Sequence, residues 1–394
     1  MRAAAISPRP LTVLRSHTVS VDAATFLCAE GGSDAGDDEH LVLATGSADG
    51  VVKLWNVDRR RVAHEYAAHA ALGILALLPL HAQGQLVSHG RDGMLKLWDL
   101  SGGRCALAAS LRSCVPTGSF TFCRSAVHVG SAPLPSGGSG DESGGEGVAG
   151  GGGGALRSTS LPPPPLPPPL PAAALGIGGG AACGRWIVAP SAESGVLHLW
   201  DTRAAGVSRT LDLGLGGHDV TGMCMALRSF ETAGGGDALV ACAFESGRVV
   251  IADLGTGRVA IDLKVDEEAL LSVDVGASGA RAVCAGASQR LTFVELDHAT
   301  FTARVQASLP LPNRGIGRVV LRPCDEKIVA TAGWDGRVRL WQWKRPKPAL
   351  AVLREHTEAV HDVCFSPNGA LLASVSKDCH AMLWSVYPPK ASFS

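Results

Sequence analysis

The segment TAGWDGRVRLW, residues 331–341, decides the fold because close variants of it recur along the chain. It combines a hydroxyl residue, an aspartate four positions later, a turn glycine and an alternating apolar run that ends in tryptophan. The clearest other copies are GSADGVVKLW at 46–55, HGRDGMLKLW at 89–98, SAESGVLHLW at 191–200 and VSKDCHAMLW at 375–384. A tight turn followed by two-residue alternation is typical of β-hairpins, so the pattern predicts a repeated β-structure.

The spacing of the tryptophans predicts one propeller blade per repeat. Trp55 and Trp98 are 43 residues apart, as are Trp341 and Trp384, and four-stranded blades recur about every 40–45 residues. Two weaker copies, at 244–253 and 286–295, carry Ala252 and Val294 at the tryptophan position. Seven copies in all predict an all-β, seven-bladed β-propeller.

A low-complexity segment at 131–180 interrupts the third repeat with runs of glycine and proline. Glycine loses much backbone entropy on ordering and proline has no amide hydrogen, so we expect a disordered insert. The predicted organisation is a single propeller formed by 11–130 and 181–388, with flexible termini at 1–10 and 389–394. The apolar stretch at 11–14 matches the strand at 351–354 but has no blade before it, so we expect it to close the ring on the last blade.

Polar residues also recur at fixed positions in the repeats. An aspartate lies six positions before the tryptophan, Ser or Thr lies four positions before the aspartate, and three repeats have a histidine further upstream. A buried aspartate needs several donors, which indole, hydroxyl and imidazole groups supply. We expect structural networks formed by His17, Thr45, Asp49 and Trp55; by His69, Ser88, Asp92 and Trp98; by Thr331, Asp335 and Trp341; and by His356, Ser374, Asp378 and Trp384.

The remaining blades depart from this pattern. The sixth blade has no histidine and offers only Asn313 or Arg314 nearby. The third, fourth and fifth blades have Ser194, Ser246 and Ser288 in place of the aspartate. We therefore expect the third, fourth and fifth blades to be less rigid.

Charge and motif content argue against several classes of function. The 35 basic and 36 acidic residues give a formal charge of −1, so we expect neither nucleic-acid nor membrane partners.

The eleven cysteines form no C-x-x-C pair and are expected as small buried side chains. Basic clusters at 59–61 and 344–347 are expected to be solvated turns. The networks recur around a ring, unlike a single active site, so we predict no catalytic residues, metal, cofactor or small-molecule substrate.

With these repeats and networks, the chain resembles the WD40 family, whose blades carry a His–Ser/Thr–Asp–Trp tetrad. The segments at 89–100, 313–323 and 377–389 are similar to the G-protein-beta-like, ASTRA-associated branch of that family. The resemblance implies a non-enzymatic scaffold of ASTRA and Triple-T co-chaperone assemblies, which support phosphatidylinositol-3-kinase-related kinases and chromatin regulation. It implies a monomeric ring within a larger complex, cytoplasmic and nuclear, with co-chaperone subunits and kinase clients as partners.

Two candidate interaction sites follow from the resemblance. In the family, the turn with the tetrad aspartate opens on the more widely used face, so the preceding residues are expected at its rim: Arg91, Glu193, Glu245, Trp334 and Lys377. Trp334 is the expected anchor, since aromatic side chains dominate interface hot spots; the alternative is that it packs against the seventh blade as core. The second site is a W-D-x-R sequence that resembles the box by which some WD40 proteins bind the cullin-four ligase adaptor. A ligase substrate receptor is therefore the alternative function, with site residues Trp200, Asp201 and Arg203.

Overall fold

A computed structural model describes residues 8–29, 40–70, 72–80, 84–101, 108–117, 123–129, 185–203, 206–232, 238–298 and 300–386. Within these residues, 28 strands form seven four-stranded antiparallel sheets, which confirms the predicted seven-bladed propeller. The predicted insert at 131–180 lies outside the described residues. No helix in the described part of the chain is long and apolar enough to cross a membrane.

Each blade is one sheet, and the first strands of neighbouring blades contact each other around the axis. Blades 1 and 2 contain β2 (Val21–Ala29), β3 (His40–Ser47), β4 (Val51–Asn56) and β5 (Arg61–Ala67), then β6 (Ile74–Leu80), β7 (Gln85–Gly90), β8 (Met94–Ser101) and β9 (Ala108–Pro116). Blades 3 and 4 contain β10 (Ala126–Val129), β11 (Arg185–Pro190), β12 (Val196–Asp201) and β13 (Arg209–Asp212), then β14 (Cys224–Glu231), β15 (Ala238–Phe244), β16 (Arg248–Asp253) and β17 (Val259–Lys264).

The last three blades complete the circle. Blades 5 and 6 contain β18 (Leu270–Val275), β19 (Arg281–Gly286), β20 (Arg290–Asp297) and β21 (Thr302–Pro310), then β22 (Ile316–Leu321), β23 (Ile328–Gly333), β24 (Val338–Gln342) and β25 (Ala351–Leu353). Blade 7 combines β26 (Val360–Phe365), β27 (Leu371–Ser376) and β28 (His380–Ser385) with the first strand of the chain, β1 (Thr12–Arg15). A one-turn helix, α1 (His218–Thr221), lies in the link before β14.

The ring closes because the first strand of the described chain, β1, pairs with the last strand, β28, in blade 7. Thr12 lies opposite Leu383 and Arg15 opposite His380, and the Leu11 N–H donates to the Leu383 carbonyl at 2.7 Å. The expected closing strand is thereby confirmed. The pairing covers the edge of β28, which would otherwise present unpaired backbone groups.

The hydrophobic core of the described residues is divided into seven clusters, one between each pair of neighbouring blades. The cluster between blades 7 and 1 joins Leu14 of β1 to Leu43, Trp55 and Leu383. Second strands such as β7 and β23 are buried along their whole length, whereas fourth strands such as β9 and β21 are largely exposed. Each blade thus buries its two faces only against its neighbours, so stability depends on closure.

The antiparallel order sends the turns to two faces of the ring. Turns from first to second strand and from third to fourth strand lie on one face, which we call the lower face. Turns from second to third strand, and the links between blades, lie on the opposite, upper face. The upper turn of blade 1 shows why glycine follows the aspartate: Gly50 has φ 81°, and an added Cβ would lie 1.9 Å from the His69 carbonyl oxygen.

Candidate functional site

Complete hydrogen-bonded tetrads occur in blades 2 and 7. In blade 2, the His69 Nδ1 lies 2.7 Å from Asp92, and the Ser88 hydroxyl contacts both the His69 Nε2 and the Trp98 indole at 2.9 Å. Blade 7 repeats this geometry with Asp378, His356, Ser374 and Trp384 at 2.8, 2.8 and 2.9 Å. Each tetrad ties the link before the blade to its second and third strands.

The chemistry of the groups determines which of them donates each hydrogen bond in the blade 7 tetrad. An indole N–H only donates and an ionised carboxylate only accepts. Trp384 therefore donates to Ser374, Ser374 donates to the His356 Nε2, and the His356 Nδ1–H donates to Asp378. Burial alone would raise the pKa of Asp378, but hydrogen bonds from His356 and from the His380 and Thr357 N–H groups outweigh it and lower the pKa to about 2.

The prediction for blade 1 was wrong in one residue. The Trp55 indole donates to the Thr45 hydroxyl, which lies 2.8 Å from the His17 Nε2. Asp49 instead accepts from the Ser47 hydroxyl at 2.6 Å within its own exposed turn. Burial, and next the Lys53 ammonium, lower the pKa of His17 to about 4, so the imidazole is neutral.

Blade 6 replaces the missing histidine with two other donors. The Trp341 indole donates to Thr331 at 3.1 Å, as the spacing predicted. Asp335 accepts from the Arg339 guanidinium at 2.6 Å and from the Asn313 amide at 2.7 Å. Arg314, the other candidate, instead forms an ion pair with Glu268.

The serine blades differ from one another. Ser194 bonds to Thr221 at 2.6 Å, whereas the Ser246 hydroxyl oxygen is buried without a hydrogen-bond partner among the described residues. Ser288 donates to Asp266, a residue that the sequence analysis missed. Asp266 lies four positions before its first strand, as His17 and His356 do. In blade 5 the acidic group has therefore moved to the histidine position and the hydroxyl to the aspartate position.

A second set of polar contacts, also missed, crosses the axis. Arg124 of blade 3 lies 2.7 Å from Asp362 of blade 7, and Arg318 of blade 6 lies 3.4 Å from the same carboxylate. Arg124 also donates to the Asp22 and His361 carbonyls at 3.1 Å, and His361 contacts the Asp22 carboxylate at 2.9 Å. These contacts tie blades 1, 3, 6 and 7 together at the centre of the ring.

All five predicted rim residues are exposed and lie in the upper turns: Arg91, Glu193, Glu245, Trp334 and Lys377. Trp334 is 49% exposed, so the alternative that it packs as core against blade 7 is wrong. Its indole instead covers the backbone of Gly315, where an added Cβ would lie 2.0 Å from the ring. The Trp334 backbone N–H also donates to the Gly315 carbonyl at 3.0 Å, which fixes the position of the turn. The indole is thus held in place while one side faces solvent.

The W-D-x-R residues form a local pair on the lower face. Asp201 accepts from the Arg203 side chain at 2.9 and 2.6 Å, while Trp200 is only 1% exposed. Trp200 is therefore a core residue. Arg203 is half-exposed, but its guanidinium already has a carboxylate partner in its own turn.

The eight cysteines whose side chains the structure describes are all free thiols. The Cys123 and Cys224 sulfur atoms lie 3.9 Å apart between blades 3 and 4, well beyond the disulfide bond length of about 2.05 Å. Burial raises the pKa of Cys284 to about 12, so this thiol stays protonated. Cys114 and Cys324 are exposed, so the expectation that cysteines are buried was wrong for these two. No group of His, Cys, Asp or Glu that could hold a metal occurs among the described residues.

Known proteins share the repeats of this chain, and one of them matches most of its length. The family described as WD domain, G-beta repeat matches residues 8–56, 319–342 and 348–385. Guanine nucleotide-binding protein subunit beta-like protein 1 of Mus musculus is 30% identical over 348 residues, 88% of this chain and 88% of that protein.

Two fission-yeast proteins match shorter parts. ASTRA-associated protein 1 of Schizosaccharomyces pombe is 43% identical over 63 residues, 16% of this chain and 17% of that protein. The target of rapamycin complex subunit wat1 of the same species is 30% identical over 115 residues, 29% of this chain and 33% of that protein. From the seven blades, the tetrads and the match along most of its length, we conclude that the chain belongs to the WD40-repeat family of β-propellers.

Proposed function

We propose that this chain is a non-enzymatic scaffold of an ASTRA or Triple-T type co-chaperone assembly, in the cytoplasm and nucleus, that supports phosphatidylinositol-3-kinase-related kinases. Its similarity to an ASTRA-associated protein and to a target of rapamycin complex subunit supports this proposal. The proposal names co-chaperone subunits and kinase clients as partners. Fold alone does not specify a partner, so the argument rests on a particular surface.

The observation that carries the proposal is the exposed indole of Trp334 on the upper face. Half of its surface faces solvent, and its contact with Gly315 limits the positions that the ring adopts. A held aromatic side chain loses little entropy on binding and buries a large apolar area. Such residues are the usual hot spots of protein interfaces.

The other rim residues supply the polar surroundings that a hot spot needs. Arg91, Glu193, Glu245 and Lys377 are exposed in the matching turns of four other blades. A hot spot is typically an apolar anchor surrounded by polar contacts that exclude water on binding. We therefore assign partner capture to Trp334 and orientation of the partner to these charged residues.

The experiment is affinity purification of the tagged full chain from its own cells, followed by quantitative mass spectrometry. We expect the wild-type chain to recover co-chaperone subunits and the kinases, and Trp334→Ala to lose most of them. The matched control is Leu72→Ala, which removes another exposed apolar side chain (47% exposed) on the same face and is expected to retain the partners. Both variants should melt within about 3 °C of wild type, because neither opens a buried cavity.

Two outcomes would contradict the proposal. In the first, Trp334→Ala melts early while still capturing its partners, which would make the indole a structural residue. Alternatively, the wild-type chain would recover the cullin-four adaptor, with loss of binding in Arg203→Ala. That second result would assign the chain to a ligase through the Asp201–Arg203 turn.

A further inference from the structure

Two basic turns that are far apart in the sequence lie on the same face of two blades that flank blade 7. The turn between β4 and β5 of blade 1 carries Arg59 and Arg60 and leads into Arg61, the first residue of β5, and the turn between β24 and β25 of blade 6 carries Lys344, Arg345 and Lys347. Both join a third to a fourth strand and therefore lie on the lower face. Only blade 7 separates them, because β1 closes the ring there.

Blade 7 adds a seventh cation to this sector. Arg9 precedes β1, the fourth strand of blade 7, and so lies on the lower face as well. All seven side chains are exposed. We call these seven residues the basic arc: Arg9, Arg59, Arg60, Arg61, Lys344, Arg345 and Lys347.

The cations of the basic arc have no carboxylate partner among the described residues, unlike Arg203 and Arg322 elsewhere on this face. Elsewhere on this face, Arg203 pairs with Asp201 at 2.6 Å, and Arg322 pairs with Asp325 at 2.5 Å. None of the seven arc cations forms an ion pair with a carboxylate in the part of the chain that the structure describes. The chain as a whole carries a formal charge of only −1, whereas residues 57–61 and 343–350 hold six cations and one acidic residue, Asp58, so this positive charge is a local concentration.

Among the described residues, apolar side chains lie beside the arc but exposed aromatic ones do not. Leu11, next to Arg9 on the way into β1, is 48% exposed, and Leu350, at the end of the blade 6 turn, is 39% exposed. Trp343 at the start of that turn is only 2% exposed and packs edge-on against Phe293. Single-stranded nucleic acids are held by aromatic stacking on exposed rings, whereas this surface combines cations with isolated leucines.

We propose that the basic arc binds an acidic, unstructured segment of a partner protein that also carries apolar residues. Carboxylates of the segment would pair with the turn cations, and its apolar residues would cover Leu11 and Leu350. This site lies opposite Trp334, so the ring binds two partners at once, one on each face. Such a bivalent arrangement is what a scaffold requires, although the basic arc is argued independently of the upper face.

The test uses the purified full chain and a fluorescent 12-residue peptide in which Glu-Glu-Leu is repeated four times. Fluorescence anisotropy is measured at low and physiological salt, because exposed ion pairs weaken as salt rises. We expect binding that weakens about tenfold in the charge-reversal variant R59E/R60E/R61E, and about tenfold in K344E/R345E/K347E. The peptide with Gln in place of Glu should not bind.

The matched control is R15E/R290E/R354E, which makes the same change in net charge with exposed cations on the upper face. It should bind the acidic peptide as the wild type does, and all variants should keep the wild-type melting temperature. Equal weakening in the control would show a non-specific charge effect and overturn the proposal. Preferential binding of a 12-nucleotide RNA or of phosphatidylserine vesicles, lost in the two arc variants, would overturn it in favour of those ligands.

Discussion

Removal of one carboxylate in blade 7 should destabilise the whole ring. Asp378→Ala leaves the buried His356 Nδ1–H without an acceptor and removes the acceptor of the His380 N–H at 3.0 Å and the Thr357 N–H at 3.2 Å. A buried donor left unpaired costs about 1–3 kcal/mol. With the two backbone groups partly rehydrated, we expect a total loss of about 3 kcal/mol in the free energy of unfolding.

The assay is thermal unfolding followed by near-ultraviolet circular dichroism. For a propeller of about 300 residues, 3 kcal/mol lowers the melting temperature by about 5 °C. The matched control is Asp49→Ala, which removes the aspartate at the same position of blade 1. Because Asp49 is exposed and contacts Ser47 rather than His17, its removal should cost at most about 1 kcal/mol, or under about 2 °C.

The pH dependence of this difference has a definite sign. The pKa of Asp378 is lowered from 3.8 to about 2 in the folded chain, so its stabilisation is fully present above about pH 4. The stabilisation is lost as the pH falls from 4 towards 2, and the gap between wild type and Asp378→Ala should narrow there. Equal shifts for Asp378→Ala and Asp49→Ala at pH 7 would refute the hydrogen-bond assignments in both blades.

Three further results are expected. Ser246→Ala should be neutral or slightly stabilising in urea unfolding, because its buried hydroxyl has no described partner to lose; a loss of more than 1 kcal/mol would contradict that assignment. Burial lowers the pKa of His89 to about 4, so stability should fall as the pH drops from about 6.5 to 4, and His89→Gln should flatten this slope. Deletion of residues 135–178 should leave the melting temperature unchanged, since Val129 and Arg185 on either side are direct strand partners; early melting would mean that the segment packs on the ring.

The repeats predicted most of the architecture because propeller geometry repeats with the sequence. Each Trp and Asp pair defines an upper turn, and the turns define the register of the second and third strands. The closing strand was predictable from the unpaired apolar stretch at 11–14. Histidine positions in blades 2 and 7 followed from the same alignment.

Details of partner choice were not predictable from spacing. Asp49 and Asp378 occupy the same repeat position, yet only Asp378 bonds to the histidine. Spacing measured from the tryptophan does not identify Asp266, because in blade 5 the acidic group lies in the link between blades 4 and 5 instead. A search for any acid or imidazole four positions before a first strand would have found it.

Contacts that form only when the ring closes could not be predicted from the sequence. Arg124 and Asp362 belong to blades 3 and 7 and meet only across the axis. Arg59 and Lys344 fall on one sector of the lower face only because β1 joins the last blade to the first. Nothing in the local sequence around either residue indicates that neighbourhood, since each turn alone resembles an ordinary solvated loop.

We propose that the ring supports kinase maturation through its upper face, and this role has a direct test. The most direct measurement is the amount of each phosphatidylinositol-3-kinase-related kinase after acute depletion of this chain, with messenger RNA measured in parallel. The proposal predicts that kinase protein falls at unchanged messenger RNA, because immature clients are degraded, and that wild type and Leu72→Ala restore it while Trp334→Ala does not. Unchanged kinase levels after depletion, or full restoration by Trp334→Ala, would contradict the claim.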